Sequence, residues 1–177
     1  QVAWAGKTPG VELPSPNYRF AAGPADFWVI DTDDAWWRGS KPIKDWLLNR
    51  EPTDRWQIVA GHHPFRSEGT HGNAGWYDGV PGAGLRLSRL FNATVCGQSD
   101  LYLAGHDHNR QHLSYCDTQL VVSGAGASTR PIVDNGNERA FTSDQLGFAW
   151  IHLTPTAGQL VFVDEHGNAD YQAVLAH

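Results

Sequence analysis

The sequence predicts an α/β protein, and three of its features carry that prediction. Two runs, Phe27-Trp28-Val29-Ile30 and Trp56-Gln57-Ile58-Val59-Ala60, are apolar almost throughout, the pattern of strands buried on both faces of a sheet. Between them Ile43, Trp46 and Leu47 recur at helical spacing. The last third of the chain alternates apolar and polar residues in short segments, which is antiparallel material with one face wet.

Residues 1–26 contain Pro9, Pro14, Pro16 and Pro24 among several glycines and read as a connecting arm, which leaves 27–177 as the folded domain. Ser40 is a candidate cap for a helix over 41–49, and Asp31, following the first buried strand, is open to ligation or to turn formation. Residues 67–84 hold six glycines and form a long loop, a length that itself suggests function. A short helix at 85–91 and a third strand at 100–104 follow. Residues 111–115 and 118–123 read as two strands turning near Cys116-Asp117, and three alternating segments, 148–153, 159–163 and 171–175, complete the chain.

Thirteen basic against 19 acidic residues give a net charge of −6 on 177 residues, 41% of them hydrophobic. That suffices for one domain with a real core. It disfavours a nucleic-acid scaffold, whose affinity needs clustered Lys and Arg, and no apolar run approaches the length that spans a bilayer, so a soluble chain with no membrane partner is expected. Gln1 is not an initiator and methionine is absent, so a processed or truncated product is expected. Cys96 and Cys116 enclose about twenty residues, a loop whose closure restrains the unfolded chain by about 3 kcal/mol in the entropy account. One disulfide in a secreted or periplasmic protein is expected, with two buried thiols as the alternative.

The histidines carry the chemistry. Six of nine lie between positions 62 and 112, and four of these sit in Gly61-His62-His63-Pro64 and Gly105-His106-Asp107-His108, each directly after a buried strand. In an open α/β sheet, loops leaving the carboxyl ends of strands surround the ligand crevice. In an extended turn residues i and i+2 point the same way, so His106 and His108 can address adjacent ions while Asp107 points elsewhere. Neutral imidazole suits Zn, Fe and Mn.

Gly-His-His-Pro followed some forty residues later by Gly-His-Asp-His-Asn resembles the calcineurin-like metallophosphoesterases and, more narrowly, the small purple acid phosphatases of the tartrate-resistant type. Pro14 to Arg19, Ile30-Asp31-Thr32, Tyr102 to Asn109 with Gln111, Val122 to Ala127 and Gly147-Phe148-Ala149 extend the resemblance over most of the chain. It implies a double-sheet α/β/β/α sandwich of which this chain supplies roughly the carboxyl-terminal half, and hydrolysis of phosphate monoesters by a dinuclear centre of iron with zinc, manganese or iron. It assigns His62 and His106 to one divalent ion and His108 to the other. His71 would contact substrate and protonate the leaving group, and His63 would touch substrate or support a ligand. His112, beyond the matching stretch, is left structural.

The family's remaining ligands, two Asp, a Tyr and an Asn-His pair, fall earlier in its chain and have no counterpart in this sequence, while Gln1-Val2-Ala3-Trp4 resembles the stretch just downstream of them. An amino-terminal half of the same enzyme is therefore the expected partner. Two other readings stay open: a catalytically silent metal-binding or interaction module, and a phosphodiesterase or nucleotidase of the same fold, with Arg66, Trp76 and Tyr77 of the long loop facing a different leaving group.

Overall fold

The computed structural model describes residues 13–177. Within the expected arm, Tyr18–Ala22 forms strand β1, antiparallel to β2 (Ala25–Val29). The arm thus carries an edge strand that its proline and glycine content concealed, and Gln1 to Glu12 lie outside the described residues. Asp31 ends the turn after β2 by accepting the Asp34 N–H at 2.9 Å and capping α1 (Thr32–Trp37). In α2 (Lys41–Leu48) Pro42 occupies the first turn and Ile43 and Leu47 are buried, while Ser40 makes no capping bond.

Strand β3 (Trp56–Ala60) runs parallel to β2, and the long loop that follows contains a 3-10 turn at Tyr77–Gly79. Helix α3 (Leu85–Thr94) leads to β4 (Leu101–Ala104), parallel to β3, and to the hairpin of β5 (Arg110–Tyr115) and β6 (Thr118–Ser123). Cys116 and Asp117 form the two-residue turn with φ of 45° and 58°, the conformation that matches strand twist. Cys116 is disulfide-bonded to Cys96, just beyond α3. With β7 (Arg139–Ser143) on β5, the sheet order is β1-β2-β3-β4-β6-β5-β7. Strands β8 (Gly147–Leu153), β9 (Ala157–Asp164) and β10 (Ala169–Ala176) form a separate antiparallel sheet.

Side-chain parity explains the layers. Trp28, Val59, Tyr102 and Leu120 face one side of the large sheet, where they pack on Ala35, Ile43, Leu47, Leu87, Leu90 and Phe91 of the helices. Their neighbours Ile58, Leu101 and Val121 face the other side and meet Leu160, Phe162 and Leu175 of the small sheet. The buried Arg110 guanidinium ties the two sheets by donating to both carboxylate oxygens of Asp170, at 2.9 and 2.7 Å. His112, left structural by its position, does the same with Tyr171 OH at 2.8 Å and Gln119 Oε1 at 2.7 Å.

The result is the α/β/β part of the expected sandwich. The outer face of the small sheet carries Phe148 and Trp150, 52% and 46% exposed, with the exposed Val174 two strands away on β10, and among the described residues no helix covers it. Among the described residues no helix is long and apolar enough to cross a membrane.

Candidate metal centre

Strands β2, β3 and β4 are parallel neighbours, so their carboxyl ends deliver Asp31-Thr32, Gly61 to Pro64 and Gly105 to His108 to one edge of the sheet. The Gly105 N–H donates to the His62 carbonyl at 3.2 Å, which fastens the two histidine loops to each other. A Cβ on Gly61 would lie 2.7 Å from Thr32 Cγ2 and 2.8 Å from Tyr102 OH, so glycine is required where these loops pass. Tyr102 OH in turn donates to the His63 carbonyl at 2.7 Å.

The second histidine loop is not extended. Asp107 N–H donates to Gly105 O and Asn109 N–H to Asp107 O, both at 2.8 Å, so the chain makes two successive turns with i to i+2 bonds, centred on His106 and His108. His106 has φ of 63°, a strained conformation for a residue with a side chain. The alternation expected for His106 and His108 is thereby replaced.

His62, His63 and His106 offer ligand atoms that all lie within 4.8 Å of one another, and His62 Nε2 is 3.0 Å from His106 Nδ1. The His71 ring sits 4.3 Å from that of His106. His108 lies outside the group, with Nδ1 at 2.7 Å from Ser128 Oγ in the segment leaving β6. The edge therefore gathers four of the five singled-out histidines and holds His108 apart.

Asp107 turns beneath the Gly-rich loop, as its position between the histidines suggested. Fully buried, it accepts from Ser67 Oγ–H and, at 3.0 Å, from the His71 N–H. A Cβ on Gly69 would approach its carboxylate to 2.2 Å, so the loop can close on Asp107 only with glycine there. Glu68, also fully buried, accepts from the N–H groups of Asn135 (3.0 Å) and Asn137 (2.9 Å) and from Arg139 (2.5 Å), which anchors this loop to the segment before β7. The loop bearing His71 is thus held by a buried polar network around Asp107 and Glu68.

Burial, then the neighbouring imidazoles of His106, His62 and His71, push the His63 pKa down to about 3. Burial, then His71 and His62, push His106 down to about 4. Both rings are neutral at pH 7, the form that binds metal. His63 is further oriented by Thr32, whose Oγ1 lies 2.8 Å from Nδ1, and by the Trp36 ring packed edge-on at 5.1 Å.

The donors fit one ion. Imidazole nitrogens bound at about 2.0–2.1 Å stand roughly 3.0–3.4 Å apart around a common metal, and His62 Nε2 and His106 Nδ1, which share a hydrogen bond at 3.0 Å in the metal-free chain, stand at a spacing that an ion can take over on displacing the shared proton. Among the described residues, His108 is what remains of the histidine pair for a second ion, because Asp107 faces the loop and Asp31 caps a helix.

The residues missed from sequence are those that hold the imidazoles. Asp78, with φ of 56°, accepts from His71 Nδ1 at 2.7 Å, and its N–H donates to the His71 carbonyl at 2.9 Å. The Gly-rich loop carried no signal for this pair; only its folding back does. In the metal-free chain at pH 8, long-range proton–nitrogen spectra are expected to show His71 protonated at Nδ1. Asp78→Gly should shift it towards the Nε2–H form, and Asp78→Asn, which keeps an acceptor and tolerates positive φ, should not. An unchanged His71 pattern in Asp78→Gly would show that the contact does not orient the ring.

No family model matches the chain. Purple acid phosphatase 3 of Arabidopsis thaliana is 30% identical over 148 residues, covering 75% of this chain and 38% of the relative. Purple acid phosphatase 4 of the same plant is 30% identical over 147 residues, 75% and 41% respectively. Tartrate-resistant acid phosphatase type 5 of Sus scrofa is 28% identical over 128 residues, 67% of this chain and 35% of that protein. The chain thus spans well under half the length of these curated relatives. Among solved structures, GAP50, the anchor in the inner membrane complex of Plasmodium, superposes with a TM-score of 0.74 at 21% identity, covering 94% of this chain and 56% of that one. Purple acid phosphatase PPD1 from seeds of yellow lupin (Lupinus luteus) superposes with a TM-score of 0.67 at 18% identity, 90% and 32% covered.

Proposed function

The chain belongs to the metallophosphoesterases, with purple acid phosphatases as its relatives, and we propose that it is the carboxyl-terminal part of an acid phosphatase-like hydrolase of phosphate monoesters. The observation that carries this reading is the meeting of His62 and His106, from adjoining strand ends, at a separation suited to one ion, with His71 beside them. His62 and His106 would hold the divalent ion, and His108 would contribute to a second, iron paired with zinc, manganese or iron. Such an ion pair polarises phosphoryl oxygens and lowers the pKa of bound water.

The chain's own residues would then position and protonate. His71 keeps Nδ1 on Asp78 and presents Nε2; in its protonated form it gives that proton to the departing ester oxygen. Asp107 and Glu68 fix the loop that carries it. His63, buried and hydrogen-bonded to Thr32, would support the two ligands from within the cluster. The remaining ligands would come from an amino-terminal half of the same enzyme. The uncovered outer face of the small sheet and the partial span of the relatives both support such a partner. The disulfide supports a secreted or periplasmic setting.

The test is phosphate release from p-nitrophenyl phosphate, with metal content, on the assembly of this chain with the amino-terminal portion. Two ions and turnover are expected. His71→Ala should lower kcat by about 10²-fold with little change in KM, the scale of a lost general acid. An assembly that holds two ions and hydrolyses no phosphate ester would overturn the reading.

A further inference from the structure

We propose that this chain on its own builds a single-ion site in which His63 is the third imidazole beside His62 and His106. The inference deepens the proposed function and rests on it in one respect, that His62 and His106 share an ion. Three observations carry it. The ligand atoms of His62, His63 and His106 fall in one group within 4.8 Å, whereas His108 is engaged with Ser128. The ring centroids of His63 and His106 are 4.5 Å apart and those of His62 and His63 are 5.0 Å apart, so His63 closes a triangle rather than extending a row. Thr32 Oγ1, at 2.8 Å, can accept a hydrogen bond from His63 Nδ1–H, which leaves Nε2 with the lone pair a metal needs.

The site has the construction of a ligand centre rather than of a histidine packed for shape. His106 adopts a strained backbone to join it. Tyr102 pins the His63 carbonyl, and a glycine is required at position 61 for the loop to reach Thr32. His71, held by Asp78, stands beside the open side of the triangle. Three neutral imidazoles with no carboxylate among them select borderline ions such as Zn²⁺ or Co²⁺ and not Mg²⁺ or Ca²⁺. Each imidazole brings no charge, so the ion keeps its net positive charge, and three protein ligands leave a further position for solvent.

The experiment is titration of the metal-free chain with Co²⁺, followed by visible absorption and calorimetry, with Zn²⁺ competition. One ion per chain is expected, with the intense visible bands of four- or five-coordinate cobalt. His63→Phe, which keeps an aromatic ring in the buried position, should weaken Co²⁺ at least about tenfold, and Thr32→Val, which removes the Oγ1 partner of both His63 Nδ1 and the His63 N–H, about tenfold. His108→Ala should retain one-ion binding. Circular dichroism in the near ultraviolet checks that each variant is folded; Thr32→Val decides if His63→Phe is not. Binding that survives both His63→Phe and Thr32→Val but is lost in His62→Ala overturns this site and leaves the proposed function standing. Binding that survives His62→Ala and His106→Ala overturns both.

Discussion

Trp56→Ala is expected to cost the chain about 4–5 kcal/mol, measured as a fall in the urea midpoint, because Trp56 is what seats one sheet on the other. It is fully buried at the start of β3, facing Leu160, Phe162 and Leu175 across the layer. Its indole N–H donates to the Thr154 carbonyl at 2.7 Å, and the His177 ring stacks on it at 4.7 Å. Emptying such a site costs roughly 3–5 kcal/mol, to which an unmade hydrogen bond adds about 1 kcal/mol. Against a total of about 5–15 kcal/mol for a typical domain, that is a large share. Trp56→Phe, which keeps most of the apolar volume and loses the N–H, should cost less than half as much. A loss below about 1.5 kcal/mol in Trp56→Ala would mean that the small sheet is seated by other residues, Arg110 and its bond to Asp170 first among them.

The same layer shows why part of the fold could be read from sequence and part could not. Strand β3 declares itself because both its faces are covered, one by helices and one by the small sheet, so every position but Gln57 is apolar. Strand β7 gave no signal: Arg-Ala-Phe-Thr-Ser buries none of its residues fully and is a strand only because β5 pairs with it. Helix α1 was missed for a related reason. Its six residues are too few to show a period, and its stop and start are set by the Asp31 cap and by Arg86, which donates to the Trp36 and Trp37 carbonyls.

At the metal centre the residue types were legible and their arrangement was not. Strand ends followed by Gly-His predict that His62 and His106 approach, since parallel neighbouring strands leave no other place for their loops. Which imidazole joins them depends on the backbone of Gly105 to Asn109. An extended chain would align His106 with His108. Two i to i+2 turns, with His106 at positive φ, turn the His106 ring back on His62 and His63 instead. No spacing rule encodes that choice, because it is enforced by Asp107 being drawn under the Gly-rich loop forty residues away in sequence.

That enforced crowding has a cost that depends on pH, and the metal-free chain should lose stability steeply on acidification. His63 and His106 titrate at about 3 and about 4 in the fold, because burial and neighbouring imidazoles oppose their charge, against about 6.5 in the unfolded chain. Between those values the unfolded state binds more protons than the native one, so unfolding becomes easier as pH falls. The stability is fully present above about pH 6.5. It is lost at up to about 1.4 kcal/mol per pH unit for each histidine, and at most about 4 kcal/mol by pH 5 for the two together. His112, whose pKa burial also lowers, acts in the same direction. Urea unfolding in the presence of chelator at pH 7.5, 6 and 5 measures the slope. His63→Phe removes one of the two titrating rings and should roughly halve it, even where it lowers the stability at pH 7.5. A slope unchanged in that variant would place the acid sensitivity elsewhere, whereas a halved slope identifies the histidine cluster as a region where the fold gives up stability to keep neutral ligands in contact.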